Sequence, residues 1–199
     1  MEGKIDMLEI RWVASVLGNV EKIAEEELTG SFSGVSIDTR ADCSGKLFFA
    51  LRGNRHDGHD YVEDAIGGGA RGIVVEERWV RGGGVVSGDV PVFIVDDTLK
   101  ALQRLATEYR KKISPGVIAI TGSTGKTTTK EFVFSVLSIR YRVHATPGNL
   151  NNHIGLPLTI LQMVGNEELL VTEMGASSRG EIKRLCEIAA PQLGAITNI

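Results

Sequence analysis

Only two cysteines, Cys43 and Cys186, occur among the 199 residues, too few for a disulfide scaffold or a multi-thiolate metal centre. A reducing, cytoplasmic setting is the expectation that follows. Neither sign of charge dominates: 22 basic against 25 acidic side chains give a formal net charge of −3. The chain therefore lacks the basic excess that marks nucleic-acid binding. No apolar run approaches the roughly 18 residues of a membrane span. The opening stretch, MEGKIDMLEI, has no uninterrupted apolar segment of the kind a secretory signal needs. No nucleic-acid partner and no membrane insertion are expected. Aromatic residues are sparse at 6%, so Trp12 and Trp79 read as packing and not as a base-stacking platform. Glycine is what the chain has in abundance: 24 residues, well above the average usage of about 7%. Without a collagen or linker period, that points to tight turns or to backbone that approaches a ligand closely.

Apolar runs alternate with helical patterns along the whole chain, which argues an α/β fold. The first half reads as a helix over Leu8–Leu17, with Ile10, Val13, Val16 and Leu17 on one face. Strands follow at Gly34–Asp38 and Lys46–Leu51, a helix near Tyr61–Ile66, and strands at Gly72–Val75 and Val92–Val95. A helix begins after Asp96-Asp97, runs to Ile113 and stops at Ser114-Pro115. The domain boundary is set near residue 97, giving domains 1–97 and 98–199. In the second half, strands are expected at Val117–Thr121, Arg142–Ala145, Leu169–Thr172 and Ala195–Ile199. Helices are expected at Lys126–Ile139, with Phe132, Val133, Val136 and Leu137 inward, at Pro157–Met163 and at Gly180–Ala190. Such alternation gives a parallel sheet with ligands at the carboxyl ends of its strands.

The strongest chemical signal is Gly122-Ser123-Thr124-Gly125-Lys126-Thr127-Thr128, placed between a β-branched strand and a helix. Phosphate needs this arrangement: successive backbone N–H groups converge on the anion and the helix N-terminus adds positive partial charge. Lys126 supplies a charge to the terminal phosphates, and the Thr127 hydroxyl can ligate Mg²⁺. The general pattern asks for a further glycine where Ile120 stands, so this is the shorter Gly-x-x-Gly-Lys-Thr form. By this chain's own composition that form arises by chance about 0.02 times. A second metal ligand, normally an acid ending a neighbouring strand, is supplied by Glu173 after Leu169-Leu-Val-Thr. Other polar residues read more plainly. His56-x-x-His59 with Asp57 and Asp60 is a polar loop and not a metal site. Lys130 lies on a solvated helix face, Cys186 is core, and Cys43 is a loop residue without chemistry.

Four further runs carry a resemblance: Thr146-Pro-Gly-Asn-Leu-Asn-Asn-His-Ile-Gly-Leu-Pro157, Glu173-Met-Gly-Ala176, Ser36-x-Asp38-Thr39-Arg40 and Asp57-Gly58-His59. With the phosphate loop, they resemble the Mur ligases over essentially the whole chain, and Asp-Thr-Arg stands where Asp-Ser-Arg is usual. The resemblance implies a small N-terminal α/β UDP-binding domain followed by an incomplete parallel-sheet ATP-binding domain. Within the family it is closest to the members that join D-alanyl-D-alanine to UDP-N-acetylmuramoyl-tripeptide, using ATP and Mg²⁺ through an acyl phosphate. The sister ligases that add the third residue lack the Pro-Gly-Asn-x-Asn-Asn-x-Ile-Gly run. The resemblance further implies that Ser36, Asp38, Thr39, Arg40, Asp57, Gly58, His59, Thr146, Asn151 and Asn152 bind the muramoyl substrate. Residues 122–128 and Asn149 would bind nucleotide, with Lys126 catalytic and Thr127 and Glu173 on the metal. A metal-binding His, a carbamylated Lys and a third domain lie past Ile199 in the family. The 199 residues alone are therefore expected to be inactive as a ligase, and the full-length protein is expected to be a monomer. Two other readings stay open: a binding-only module for nucleotide or UDP-sugar, and a different phosphate-loop enzyme such as a kinase or a folylpolyglutamate-synthase-like ligase. The Ser-x-Asp-Thr-Arg half argues against the latter.

Overall fold

The computed structural model describes residues 8–22 and 28–199; residues 1–7, which open the stretch read for a secretory signal, lie outside it. The chain divides into two units, Met1–Leu105 and Ala106–Ile199.

In the first unit, strands β1 (Val20–Glu21), β2 (Val35–Ser36), β3 (Leu47–Phe49), β4 (Gly72–Glu76) and β5 (Val92–Val95) form one sheet in the order β1-β5-β4-β3-β2. β2 to β5 run parallel and β1 is an antiparallel edge. Every residue of β3, β4 and β5 is buried, the pattern of parallel strands covered on both faces. Helix α1 (Ile10–Leu17) buries Ile10, Val13 and Leu17. Phe48, Ile73, Val75, Val92 and Ile94 pack with Val62 and Ala65 of α2 (Val62–Gly67). Cys43 lies in a loop, as the sequence reading has it, and is buried in this cluster at 3% exposure. β1 and the five-residue helix α3 (Glu77–Arg81) escaped the sequence pattern because neither is long enough to show a period.

Helix α4 (Thr98–Ile113) begins where the Asp97 carboxylate accepts the Lys100 N–H at 2.9 Å, a standard cap. In the second unit, β6 (Gly116–Thr121), β7 (Val143–Ala145), β8 (Leu169–Glu173) and β9 (Leu193–Ile196) form a fully parallel sheet in the order β7-β8-β6-β9. Its helices are α5 (Lys126–Leu137), α6 (Gly155–Leu161) and α7 (Glu181–Ala189).

Two expectations are corrected here. Phe132 and Val136 of α5 do not face inward: they are 69% and 65% exposed. The covered stripe is instead Lys130, Val133, Phe134 and Leu137, spaced i, i+3, i+4, i+7 as one helix face requires. Lys130, expected on a solvated face, is buried within that stripe at 2% exposure. A hydropathy pattern passes over it because a lysine reads as surface unless its partner is known. The last strand also ends earlier than expected, at Ile196. Beyond it, the Thr197 hydroxyl donates to Thr124 O at 2.6 Å, on the loop after β6.

On β7, burial holds the His144 imidazole below its ordinary 6.5, against smaller upward pulls from Glu167 and the Thr159 backbone. The unfolded chain therefore takes up this proton more readily than the folded one. Its contribution to stability is complete above pH 6.5 and is lost as pH falls from there toward the folded value. Urea unfolding at pH 7.5 and 5.5 is expected to show a loss of stability at the lower pH that shrinks in His144→Gln.

Among the described residues no helix is long and apolar enough to cross a membrane.

Candidate functional site

β6 is an inner strand with β8 on one side and β9 on the other. All three are parallel, so their carboxyl ends share one edge. At that edge β6 turns through Gly122 and Gly125, with φ of +137° and +84°, values that favour glycine. At Gly122 a Cβ would also stand 2.4 Å from Thr197 Oγ1. The chain then enters α5, whose first helical bond is Thr129 N–H to Gly125 O at 2.9 Å. Lys126 at the helix start donates to its own loop, to Gly122 O at 2.7 Å and Ser123 O at 3.2 Å. The far side of the loop is clasped by the segment after β9. Ser123 N–H donates to Asn198 O at 3.0 Å and Thr197 N–H to Thr121 O at 2.9 Å.

Glu173 ends β8 opposite Ile120 in register. It is 3% exposed, and a buried carboxylate must find partners. Oε2 accepts from Thr127 Oγ1 at 2.8 Å, and Oε1 accepts from Asn151 Nδ2 at 2.8 Å. Its backbone N–H donates to Thr146 Oγ1 at 3.0 Å. The Asn-rich loop after β7 is thereby tied to the phosphate-loop helix through one carboxylate. Asn149 stands exposed on that loop. Asn152 Oδ1 accepts from Ile154 and Gly155 N–H at 3.0 and 2.9 Å, fixing the start of α6. A hydroxyl and a carboxylate oxygen converging here form a hard-oxygen donor set. Mg²⁺ takes such a set with phosphates and water completing its sphere. Among the described residues no group of three or more His, Cys, Asp or Glu could hold a metal.

In the first unit, the loops after β2 and β3 leave neighbouring parallel strands at the same sheet edge. Asp38 grips Arg40 through three side-chain bonds, Nε–Oδ1 at 2.9 Å, Nε–Oδ2 at 3.2 Å and Nη2–Oδ2 at 2.6 Å. That side-chain pairing, then the Arg40 N–H, pulls the Asp38 carboxyl from 3.8 to about 2. Ser36 is buried, its hydroxyl donating to Asp38 O at 3.1 Å. Gly58 is required sterically: a Cβ would stand 2.6 Å from Leu51 N. His59 is 3% exposed with both ring nitrogens used: Nδ1 meets Asp57 Oδ1 at 2.6 Å and Nε2 accepts from Glu76 N–H at 3.0 Å. Arg52 pairs with Asp57 and, at 2.6 Å, with the buried Glu76, which Arg78 also holds at 2.5 Å. Burial pushes the Glu76 carboxyl up, but the bonds from Arg78 and Arg52 outweigh it and hold it low. Asp57 follows the same logic, burial being outweighed by the backbone and ring of His59 with help from Arg52.

Two family models match the chain: one described as Mur ligase family, catalytic domain, over residues 31–110, and one described as Mur ligase middle domain, over residues 120–199. The chain belongs to the Mur ligase family. It is 48% identical over 166 residues to the UDP-N-acetylmuramoyl-tripeptide–D-alanyl-D-alanine ligase of Bacillus subtilis, an alignment covering 83% of this chain and 35% of the relative. The ligase of the same name from Escherichia coli is 35% identical over 94% of this chain and 40% of its own length. Among solved structures, MurF from Acinetobacter baumannii superposes with a TM-score of 0.83 at 32% identity, over 96% of this chain and 41% of that one. The MurF ligase of Thermotoga maritima, solved in complex with ADP, gives a TM-score of 0.73 at 38% identity, over 83% and 37%. The chain thus spans between 35% and 42% of the length of the curated relatives it matches.

For this Mur ligase chain, the residues singled out in the sequence fall into two sets, one in each unit. Thr127, Thr146, Asn151 and Glu173 are joined by direct hydrogen bonds. Thr146 is 1% exposed and, like His59, has its side-chain polar atoms engaged within the protein. Sequence reasoning missed Lys130, Thr197, Arg52 and Glu76. Only the Gly-Lys-Thr-Thr-Thr-Lys run gave a hint of Lys130; the others act through partners distant in sequence.

Proposed function

We propose that this chain carries the UDP-substrate and nucleotide parts of an ATP-dependent ligase of peptidoglycan-precursor synthesis. Its reaction joins D-alanyl-D-alanine to UDP-N-acetylmuramoyl-tripeptide in the cytoplasm. The observation that carries the reading is the 2.8 Å bond between Thr127 Oγ1 and Glu173 Oε2, beside a phosphate loop that opens a helix. The relatives named for this reaction, and the one solved with ADP, support it. Residues 1–97 would take the UDP-linked substrate, with Asp38, Thr39 and Arg40 on the partly exposed loop after β2 and His59 fixing Asp57. Residues 98–199 would take ATP.

The amides around residues 124–127 and the start of α5 cradle the phosphates. Lys126 exchanges its bonds to Gly122 and Ser123 for the terminal phosphates. Thr127 and Glu173 would hold Mg²⁺, which supplies neutralisation of the charge gathered on the phosphates. A carboxylate oxygen of the tripeptide attacks the γ-phosphorus and ADP leaves. The amine of D-alanyl-D-alanine then attacks the carbonyl carbon of the acyl phosphate and inorganic phosphate leaves. Lys126 and the loop amides stabilise the transferring group because they are fixed in place before it arrives.

Calorimetry tests the metal assignment. Mg²⁺ is expected to tighten ADP binding in the wild-type chain, and Glu173→Gln is expected to remove at least about tenfold of that gain. Wild-type Mg²⁺ dependence in Glu173→Gln would contradict the assignment.

A further inference from the structure

One helical turn beyond Lys126, the buried Lys130 takes no part in the nucleotide reading. Its Nζ donates to Thr146 O at 2.8 Å and pairs with Glu131 Oε1 at 2.8 Å. Burying an ammonium is unfavourable unless it is paired, and an apolar side chain of similar volume often serves stability as well or better. What the charge adds at this position is direction: it fixes one carbonyl. Thr146 is held on its other sides too, its N–H donating to Val171 O at 3.1 Å and its hydroxyl accepting from Glu173 N–H at 3.0 Å. From Thr146 the chain runs on to Asn151, whose side chain bonds Glu173 Oε1 and whose carbonyl accepts Gly175 N–H at 2.8 Å. Thr127, three residues before Lys130 on the same helix, bonds Glu173 Oε2. The circuit closes: α5 reaches Glu173 directly through Thr127, and indirectly through Lys130, Thr146 and the Asn-rich loop.

We propose that Lys130 is a positioning residue for the metal–nucleotide site, setting Glu173 and Asn151 against Thr127 by anchoring Thr146. This rests on the nucleotide reading above and gives it a further part. Lys130 Nζ is committed to Thr146 O and Glu131 and not to the loop of residues 122–125, so its loss should leave the phosphate cradle in place and disorder the carboxylate side.

The test is calorimetry of this chain with ADP in EDTA and with ADP in excess Mg²⁺. Lys130→Met is expected to weaken Mg·ADP binding about tenfold while ADP without Mg²⁺ stays within about twofold of wild type, the size seen when a group supporting a metal ligand is lost. Thr146→Val, which removes the acceptor for the Glu173 N–H but keeps the carbonyl that Lys130 holds, is expected to show the same split. Wild-type affinity for Mg·ADP in Lys130→Met would overturn the proposal. So would an equal loss with and without Mg²⁺, because that marks a general effect on the fold or the loop. If Lys130→Met does not fold, Lys130→Gln takes its place under the same two criteria. A wild-type chain that binds ADP in neither condition would instead overturn the nucleotide reading itself.

Discussion

Lys126→Ala is expected to weaken Mg·ADP binding roughly 100-fold, the equivalent of losing about 2.7 kcal/mol of charge-assisted hydrogen bonding. Among the described residues Lys126 bonds carbonyls of its own loop, Gly122 O and Ser123 O, and it sits at a partly exposed helix start. The fold therefore loses little when it is removed, and thermal unfolding of the variant should match wild type. Calorimetry at millimolar nucleotide reads the first effect and circular dichroism the second. Near-normal binding in a folded Lys126→Ala chain would mean that the phosphates are held elsewhere.

Gly155→Ala should destabilise the second unit by about 3 kcal/mol, at the upper end of what overpacking costs. Gly155 is buried at the first position of α6, and an added Cβ would stand 2.4 Å from both Leu150 C and Leu150 Cα. Those are backbone atoms of the Asn-rich loop, so no side-chain rotation relieves the clash. The loop must move, and with it Asn151 and its bond to Glu173. Denaturant unfolding of Gly155→Ala is expected to show a lowered midpoint, together with a weakened Mg²⁺ effect on ADP binding. An unchanged midpoint would contradict the close approach of Gly155 to Leu150.

Both glycines and the lysine of the phosphate loop were legible in the sequence because strand, turn and helix follow one another with different periods. Glu173 was legible for a similar reason: it ends an apolar run, and a strand's end fixes which edge its last side chain reaches. The inward face of α5 was not legible. Its apolar residues lie on two sides, and the side that is covered includes a lysine, whose burial depends on a carbonyl sixteen residues away. Thr197 is further removed still, clasping Thr124 across seventy-three positions; nothing local marks it. In the first unit, the sequence placed His59 in a polar loop, and the resemblance implied that it binds substrate. The fold buries it and uses both nitrogens, Nδ1 with nearby Asp57 and Nε2 with the N–H of Glu76 on β4, seventeen residues away. Residues whose chemistry is local could be read in advance, whereas those that act by holding another element could not.

The proposed nucleotide site consists of the phosphate loop, Thr127 and Glu173. A crystal structure of the chain with Mg·ADP tests it most directly. The predicted result is a diphosphate seated on residues 122–128, with Mg²⁺ on Thr127 and with Glu173 holding it directly or through water. Nucleotide bound elsewhere in the chain, or a phosphate loop left empty at millimolar Mg·ADP, would contradict it.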